Sequence, residues 1–178
     1  MNESLGEEFM EACKKGDMQA VQTLARGNCD VNHVNKYGSN GFMLACSNGH
    51  KDIVELLVTK SNCDVNHVGN NGWNGFMFAC YNGHKDIVEL LVTKYNCNVN
   101  HVNNECKNGF MLACQNGRKD IVELLVTKSN CDIRFMNKSN KSAFDYARGR
   151  DIILLILQVL IYLDFPIHCV RASSSILC

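Results

Sequence analysis

Three stretches of this chain repeat one another almost letter for letter. Residues 41–57 read GFMLACSNGHKDIVELL, residues 75–91 GFMFACYNGHKDIVELL and residues 109–125 GFMLACQNGRKDIVELL, each 34 residues after the last. Self-similarity at a fixed period of about 20 to 50 residues marks a stack of small supersecondary units, not one closed globule. Each unit in such a stack touches only its neighbours. The long surface left open suits binding better than it suits a reaction centre.

Within each unit the same elements recur. The segment from Gly41 to Cys46 has apolar residues on helical spacing and stops at Asn48-Gly49, where a glycine suits a left-handed C-terminal cap. A second segment, KDIVELLVTK at residues 51–60, sets Ile53, Val54, Leu56 and Leu57 on one face, the stripe of an amphipathic helix. Asp52 near its start and Lys60 at its end both complement the helix dipole. The linker SNCDVNH that follows, residues 61–67, is dense in turn-forming residues. The expected unit is helix, tight turn, helix and a hairpin-like loop. Neither helix can cover its own apolar side, so neighbouring units must.

The pattern predicts about five units in a stack spanning residues 1–163, with approximate bounds 5–34, 35–68, 69–102, 103–136 and 137–163. In the first, residues 9–17 align with the helix and turn of later units, and Val21 aligns with Val54; the period there is 33. Its charged first helix suits a terminal cap with a polar outer face. In the last, residues 143–147 fall 34 after residues 109–113, the turn shortens to residues 148–151, and the final helix is expected to begin near Ile152. Residues 164–178 are expected to form a poorly ordered tail.

These residues resemble the ankyrin repeat. The likeness is carried by Ala-Cys-x-Asn-Gly-His at residues 45–50 and 79–84, by Asp-Ile-Val-Glu-Leu-Leu in three copies, and by Asp-Val-Asn at residues 30–32 and 64–66; it covers roughly residues 5–157. The resemblance implies an all-α repeat solenoid of stacked helix-turn-helix units with hairpin-like loops. This chain departs from the family where Thr-Pro-Leu-His is replaced by Asn40-Gly41-Phe42-Met43 and its copies. Asn40 can still cap the helix, but Gly41 lacks the pre-set φ of proline at the first helical position, so looser helix starts are expected. The extra residue in Thr59-Lys60-Ser61-Asn62 is expected to bulge the exit from the second helix. The resemblance also implies that Asn32, Asn66 and Asn100 match the asparagine modified by asparaginyl hydroxylases in repeats of this pattern.

A protein partner is implied by the same resemblance, bound through the hairpin tips and the concave side of the first helices. Comparison of the chain with itself shows which positions there vary. The hairpins read KYGS at residues 36–39, NNGW at 70–73, NECK at 104–107 and KSNK at 138–141. On the first helix Ser47, Tyr81 and Gln115 differ while Asn48, Asn82 and Asn116 do not, and the second helices hardly change. The surface predicted to bind comprises Lys36, Tyr37, Ser39, Ser47, Asn70, Asn71, Trp73, Tyr81, Asn104, Glu105, Lys107 and Gln115. It is centred on Trp73 and Tyr81, because exposed Trp and Tyr are enriched at binding hot spots. The competing readings are drift at solvent-exposed positions and, for Trp73, an indole folded back over its own hairpin.

Other chemistries find little support. Lys+Arg and Asp+Glu balance at 18 each, so no broad attraction to nucleic acid or an anionic membrane is expected. Cys29, Cys63 and Cys97 each precede a histidine by four residues (His33, His67, His101), a spacing that offers two zinc ligands where a structural site needs four. Cysteines one unit apart are too distant for a disulfide, which needs Cα atoms within about 7 Å. They read as small packing residues, at positions the family usually fills with alanine. His50 and His84 read as turn residues, and Arg118 replaces the third copy without disturbing the motif. No phosphate-cradling loop, nucleophile–base motif or paired carboxylate stands out, so neither catalysis, metal nor cofactor is expected.

The start of the chain, MNESLGEE, has no signal-peptide pattern, and eleven cysteines at repeat positions suit a reducing interior, cytoplasmic or nuclear. The run IILLILQVLIYL from Ile152 to Leu163 is shorter than the roughly 20 residues a membrane span requires. Its first half reads as the second helix of the last unit; the remainder could pack back, self-associate or touch a membrane. The expected function is a non-catalytic protein-interaction scaffold. The alternatives are a regulatory or inhibitory subunit of an enzyme, and a membrane-associated adaptor held by residues 152–163.

Overall fold

The computed structural model describes residues 2–60, 62–95, 97–128 and 131–162. Among the described residues ten helices follow one another: α1 (Asn2–Lys15), α2 (Met18–Arg26), α3 (Gly41–Asn48), α4 (Lys51–Lys60), α5 (Gly75–Asn82), α6 (Lys85–Lys94), α7 (Gly109–Gln115), α8 (Lys119–Lys128), α9 (Ala143–Tyr146) and α10 (Arg150–Tyr162). The odd-numbered helices lie side by side in one row, α1 on α3, α3 on α5, α5 on α7 and α7 on α9. The even-numbered helices form a second row behind them. This is the expected all-α solenoid of two-helix units. Between units the chain makes narrow hairpins, with single antiparallel bridges joining Val34 to Asn40 and Val102 to Asn108.

Each internal first helix starts in the same way. The side-chain oxygens of Asn40, Asn74 and Asn108 accept the backbone N–H of Met43, Met77 and Met111 at 3.0, 2.9 and 2.9 Å. One orphan donor of each helix is thereby satisfied. The expected loosening at the following glycine is not what the structure shows. A Cβ on Gly41, Gly75 or Gly109 would stand 2.8, 2.5 or 2.4 Å from Cε1 of Phe9, Phe42 or Phe76 in the unit before. Those rings are fully buried. Glycine is there so that a phenylalanine can close onto the next backbone, and asparagine supplies the start signal that proline would otherwise reinforce.

The turns between paired helices carry the ties from unit to unit. Gly49 and Gly83 cap α3 and α5 in the left-handed region, at φ 80° and 93°. α7 ends differently: Asn116 has φ −101° and the left-handed conformation passes to Gly117, at φ 69°. Nε2 of His50 and of His84 lies 3.0 Å from the carbonyl of Lys14 and of Ser47, on the last turn of the preceding first helix. Nε–H of Arg118 donates to Tyr81 in the same way at 3.1 Å. The substitution of arginine for histidine thus preserves the tie, which satisfies a carbonyl that a helix end leaves without a partner. His67 and His101 reach the carbonyls of Gly38 and Gly72 at 2.7 and 2.9 Å. The oxygens of Asn32, Asn66 and Asn100 accept the N–H of Asp64, Asn98 and Asp132 in the next unit, at 2.8, 2.9 and 2.7 Å.

The end units depart from the pattern. α1, at 14 residues, is longer than α3 and α5, at 8. α9 is a stub of 4 residues, and α10 begins at Arg150, two residues before the expected start. The expected bulge after the second helix turns on Ser61, and the expected tail on residues 164–178; both lie outside the described residues. No helix among the described residues is long and apolar enough to cross a membrane.

Candidate functional site

The phenylalanine and aliphatic core packs the helices together, and the first helices and the hairpins share one further surface. A groove of about 640 Å³ runs there. It is lined by Met10, Leu44 and Phe78 from α1, α3 and α5, and by Asn35, Tyr37, Ser39, Asn70 and Asn71 from two hairpins. Glu7, Glu11 and Lys14 line it at the first unit. Its volume falls in the range of about 300–1,000 Å³ usual for ligand clefts.

Repeat register explains what each unit adds. Glu11, Leu44, Phe78, Leu112 and Tyr146 share one position, Ser39, Trp73, Lys107 and Lys141 a second, and Lys14, Ser47, Tyr81 and Gln115 a third. In the third unit all three positions turn aromatic together. The Trp73 ring centroid lies 4.9 Å from that of Phe78 and 5.3 Å from that of Tyr81, the latter edge-on at 72°. Aromatic pairs of this geometry contribute about 0.5–1.5 kcal/mol each beyond their buried area. Trp73 is half-buried: the indole rests on α5 of its own unit, neither sealed in the core nor free at the tip. Tyr81 keeps 39% of its surface exposed.

The other predicted residues fall into distinct settings. Lys36 and Tyr37 project from the first hairpin, Tyr37 at 65% exposure, with the Lys36 ammonium 5.1 Å from the Tyr37 ring. The Asn70 amide donates to the Lys36 carbonyl at 3.1 Å, and that of Asn104 to the Asn70 carbonyl at 3.0 Å. These two side chains lace neighbouring tips together. Asn71 accepts from the Trp73 N–H at 3.1 Å, and the Ser47 hydroxyl accepts from the Asn82 amide at 3.2 Å. Lys107 pairs with Glu105 at 2.8 Å and lies 5.1 Å from the Tyr146 ring. Gln115 has a buried side-chain oxygen without a hydrogen-bond partner among the described residues. Ser39, Tyr37, Asn70 and Asn71 therefore meet in the groove. Trp73 and Tyr81 join Phe78, one of its lining residues, while Glu105, Lys107 and Gln115 belong to the unit beyond.

Met10, Leu44 and Phe78 line the groove yet were not among the residues the sequence singled out. A signal was present for one of them: Phe78 stands where Leu44 and Leu112 stand in the flanking copies. The structure also shows an exposed apolar row. Val34, Val68, Val102 and Met136 recur at the repeat period, 36–44% exposed.

The cysteines are held as neutral packing groups. Burial pushes the thiols of Cys13, Cys63, Cys97 and Cys131 up to about 12 from an ordinary value of 9.0. The thiolate is the form that attacks or binds metal, so burial works against both roles. Cys46, Cys80 and Cys114 are raised further by the same cause.

The fold and this surface define a class, the helical repeat solenoid with a groove along its first helices and hairpins. Residues 9–103 match the family described as ankyrin repeats in three copies, and residues 110–138 match a single ankyrin repeat. The chain belongs to the ankyrin-repeat family. It is similar to osteoclast-stimulating factor 1 of Rattus norvegicus and of Mus musculus, each 38% identical over 58 residues. The protein of the same name from Sus scrofa is 36% identical over 58 residues. The alignment covers 33% of this chain and 27% of those relatives, so it spans about a quarter of their length.

Proposed function

We propose that this chain is a non-catalytic scaffold that binds a segment of another protein along its concave face. The observation that carries the reading is the aromatic cluster. Trp73, Phe78 and Tyr81 occupy three positions held by Ser39, Leu44 and Ser47 in one neighbouring unit and by Lys107, Leu112 and Gln115 in the other. The Trp73 ring contacts both of the others, and Phe78 lines the groove. Independent drift has no reason to place three aromatic changes in one unit and in contact. Half-buried Trp and Tyr beside an apolar cleft have the character of a hot spot, where truncation removes about 2 kcal/mol or more of binding. We place the site of action in a reducing compartment, where thiols at repeat positions serve as packing groups.

The test is affinity capture with wild type beside Trp73→Ala/Tyr81→Ala. The reading expects a protein held by wild type to be lost from the variant while helical circular dichroism is unchanged. Equal retention by both forms refutes it, and loss of helical signal in the variant makes the two residues structural.

A further inference from the structure

Charge is unevenly placed along a chain whose total is balanced. Residues 1–34 hold six acidic residues against three basic, whereas residues 137–162 hold four basic against two acidic. The same polarity reaches the concave surface. At the first unit Glu7, Glu11 and Lys14 line the groove, two carboxylates against one ammonium, and Glu11 is partly offset by Lys15 at 3.2 Å and Lys14 at 3.9 Å. Through the second and third units the three concave positions carry no charge, only Ser39, Leu44 and Ser47, then Trp73, Phe78 and Tyr81. Beyond them Lys107 and Lys141 flank the Tyr146 ring at 5.1 and 5.9 Å. Lys107 is neutralised by Glu105; no carboxylate among the described residues comes within ion-pair distance of Lys141.

We infer that the bound segment is an extended peptide, basic at one end, apolar or aromatic in the middle and acidic at the other. This rests on the concave binding surface proposed above and adds the chemistry and order of its ligand. Stacked helices lie about 8–10 Å apart, so four steps from first to fifth unit span roughly 32–40 Å, which an extended chain at about 3.3 Å per residue crosses in ~10–12 residues. A basic residue then meets Glu7, the middle side chains fill the cleft between Leu44 and the aromatic cluster, and a carboxylate meets Lys141. Charges so placed fix register and exclude wrong partners more than they add affinity. A uniformly anionic strand is disfavoured by the carboxylates at the first unit.

Selection from a displayed library of random peptides of about 12 residues tests this, run in parallel on wild type, Glu7→Lys/Glu11→Lys, Lys138→Glu/Lys141→Glu and Trp73→Ala/Tyr81→Ala. Wild type is expected to enrich peptides with opposite charges at their two ends around an apolar middle. Glu7→Lys/Glu11→Lys is expected to enrich peptides acidic at both ends, and Lys138→Glu/Lys141→Glu peptides basic at both. A synthetic peptide from the wild-type set is expected to bind Glu7→Lys/Glu11→Lys roughly tenfold more weakly at low salt, with the difference shrinking as salt is raised. Peptides with an apolar middle but no end charge, or end charges that ignore the variants, overturn the inference and leave the binding surface standing. Failure of wild type to enrich anything beyond the Trp73→Ala/Tyr81→Ala background overturns both.

Discussion

Replacing Gly75 by alanine tests how the units are held together. The new methyl carbon would lie 2.5 Å from Phe42 Cε1, 2.9 Å from Phe42 Cδ1 and 3.1 Å from Cys46 Sγ. Phe42 is fully buried, so its ring has nowhere to retreat without displacing other core groups. Overpacking of this kind costs about 1–3 kcal/mol. Against it stands the gain from alanine in a helix, about 0.5–1 kcal/mol over glycine. The clash wins, by about 1 kcal/mol at the middle of both ranges and up to about 2.5 kcal/mol at the extreme. For a chain of this size each kcal/mol lowers the melting midpoint by roughly 2–4 °C, readable by circular dichroism. The same substitution made beside Phe42→Leu should cost less than about 0.5 kcal/mol, because the ring edge that it strikes is gone. A Gly75→Ala protein that melts higher than wild type, or a penalty unchanged by Phe42→Leu, refutes the close-approach argument.

Two further predictions follow from the ties and the thiols. His84→Ala removes the contact with the Ser47 carbonyl and should lower stability by about 0.5–1.5 kcal/mol in urea denaturation. His84→Arg should be nearly neutral, since Arg118 already makes the equivalent bond one unit on. Burial raises Cys13, Cys63, Cys97 and Cys131 from 9.0 to about 12, so above pH 9 the unfolded chain loses thiol protons that the folded chain keeps. Stability from these groups is therefore full below pH 9 and falls progressively toward pH 12. A variant with all four changed to alanine should lose stability less steeply over that window, in denaturant titrations at stepped pH.

What could be read from the letters was what the repeat register controls. Helix pairs, left-handed turns at Gly49 and Gly83, and capping by Asn40 all follow from local spacing that three copies confirm against one another. The glycine at 41, 75 and 109 is not explained by its neighbours in sequence, because its reason is a phenylalanine 32 or 33 residues away. Backbone propensity alone cannot register such a contact. The same limit hid the groove. Met10 and Leu44 look like ordinary core residues in a helical stripe, and only the packing of three units side by side sets them along one cleft. Trp73 and Tyr81 lie in contact because register places them in one unit. Phe78, the third ring, stands where the other copies have Leu44 and Leu112, and one apolar residue in place of another is a weak signal by itself. Asn70 and Asn104 stand where the outer copies have Lys36 and Lys138, and their amides tie one hairpin tip to the next.

Trp73 is the chain's one tryptophan, so its fluorescence reports on the concave surface without labelling. A tryptophan-free peptide from the wild-type selection, titrated into the protein, is predicted to shift the emission to shorter wavelength and to reduce quenching by acrylamide as the half-buried indole is covered. Saturable binding of that peptide with neither change at Trp73 would contradict the placement of the partner on this face.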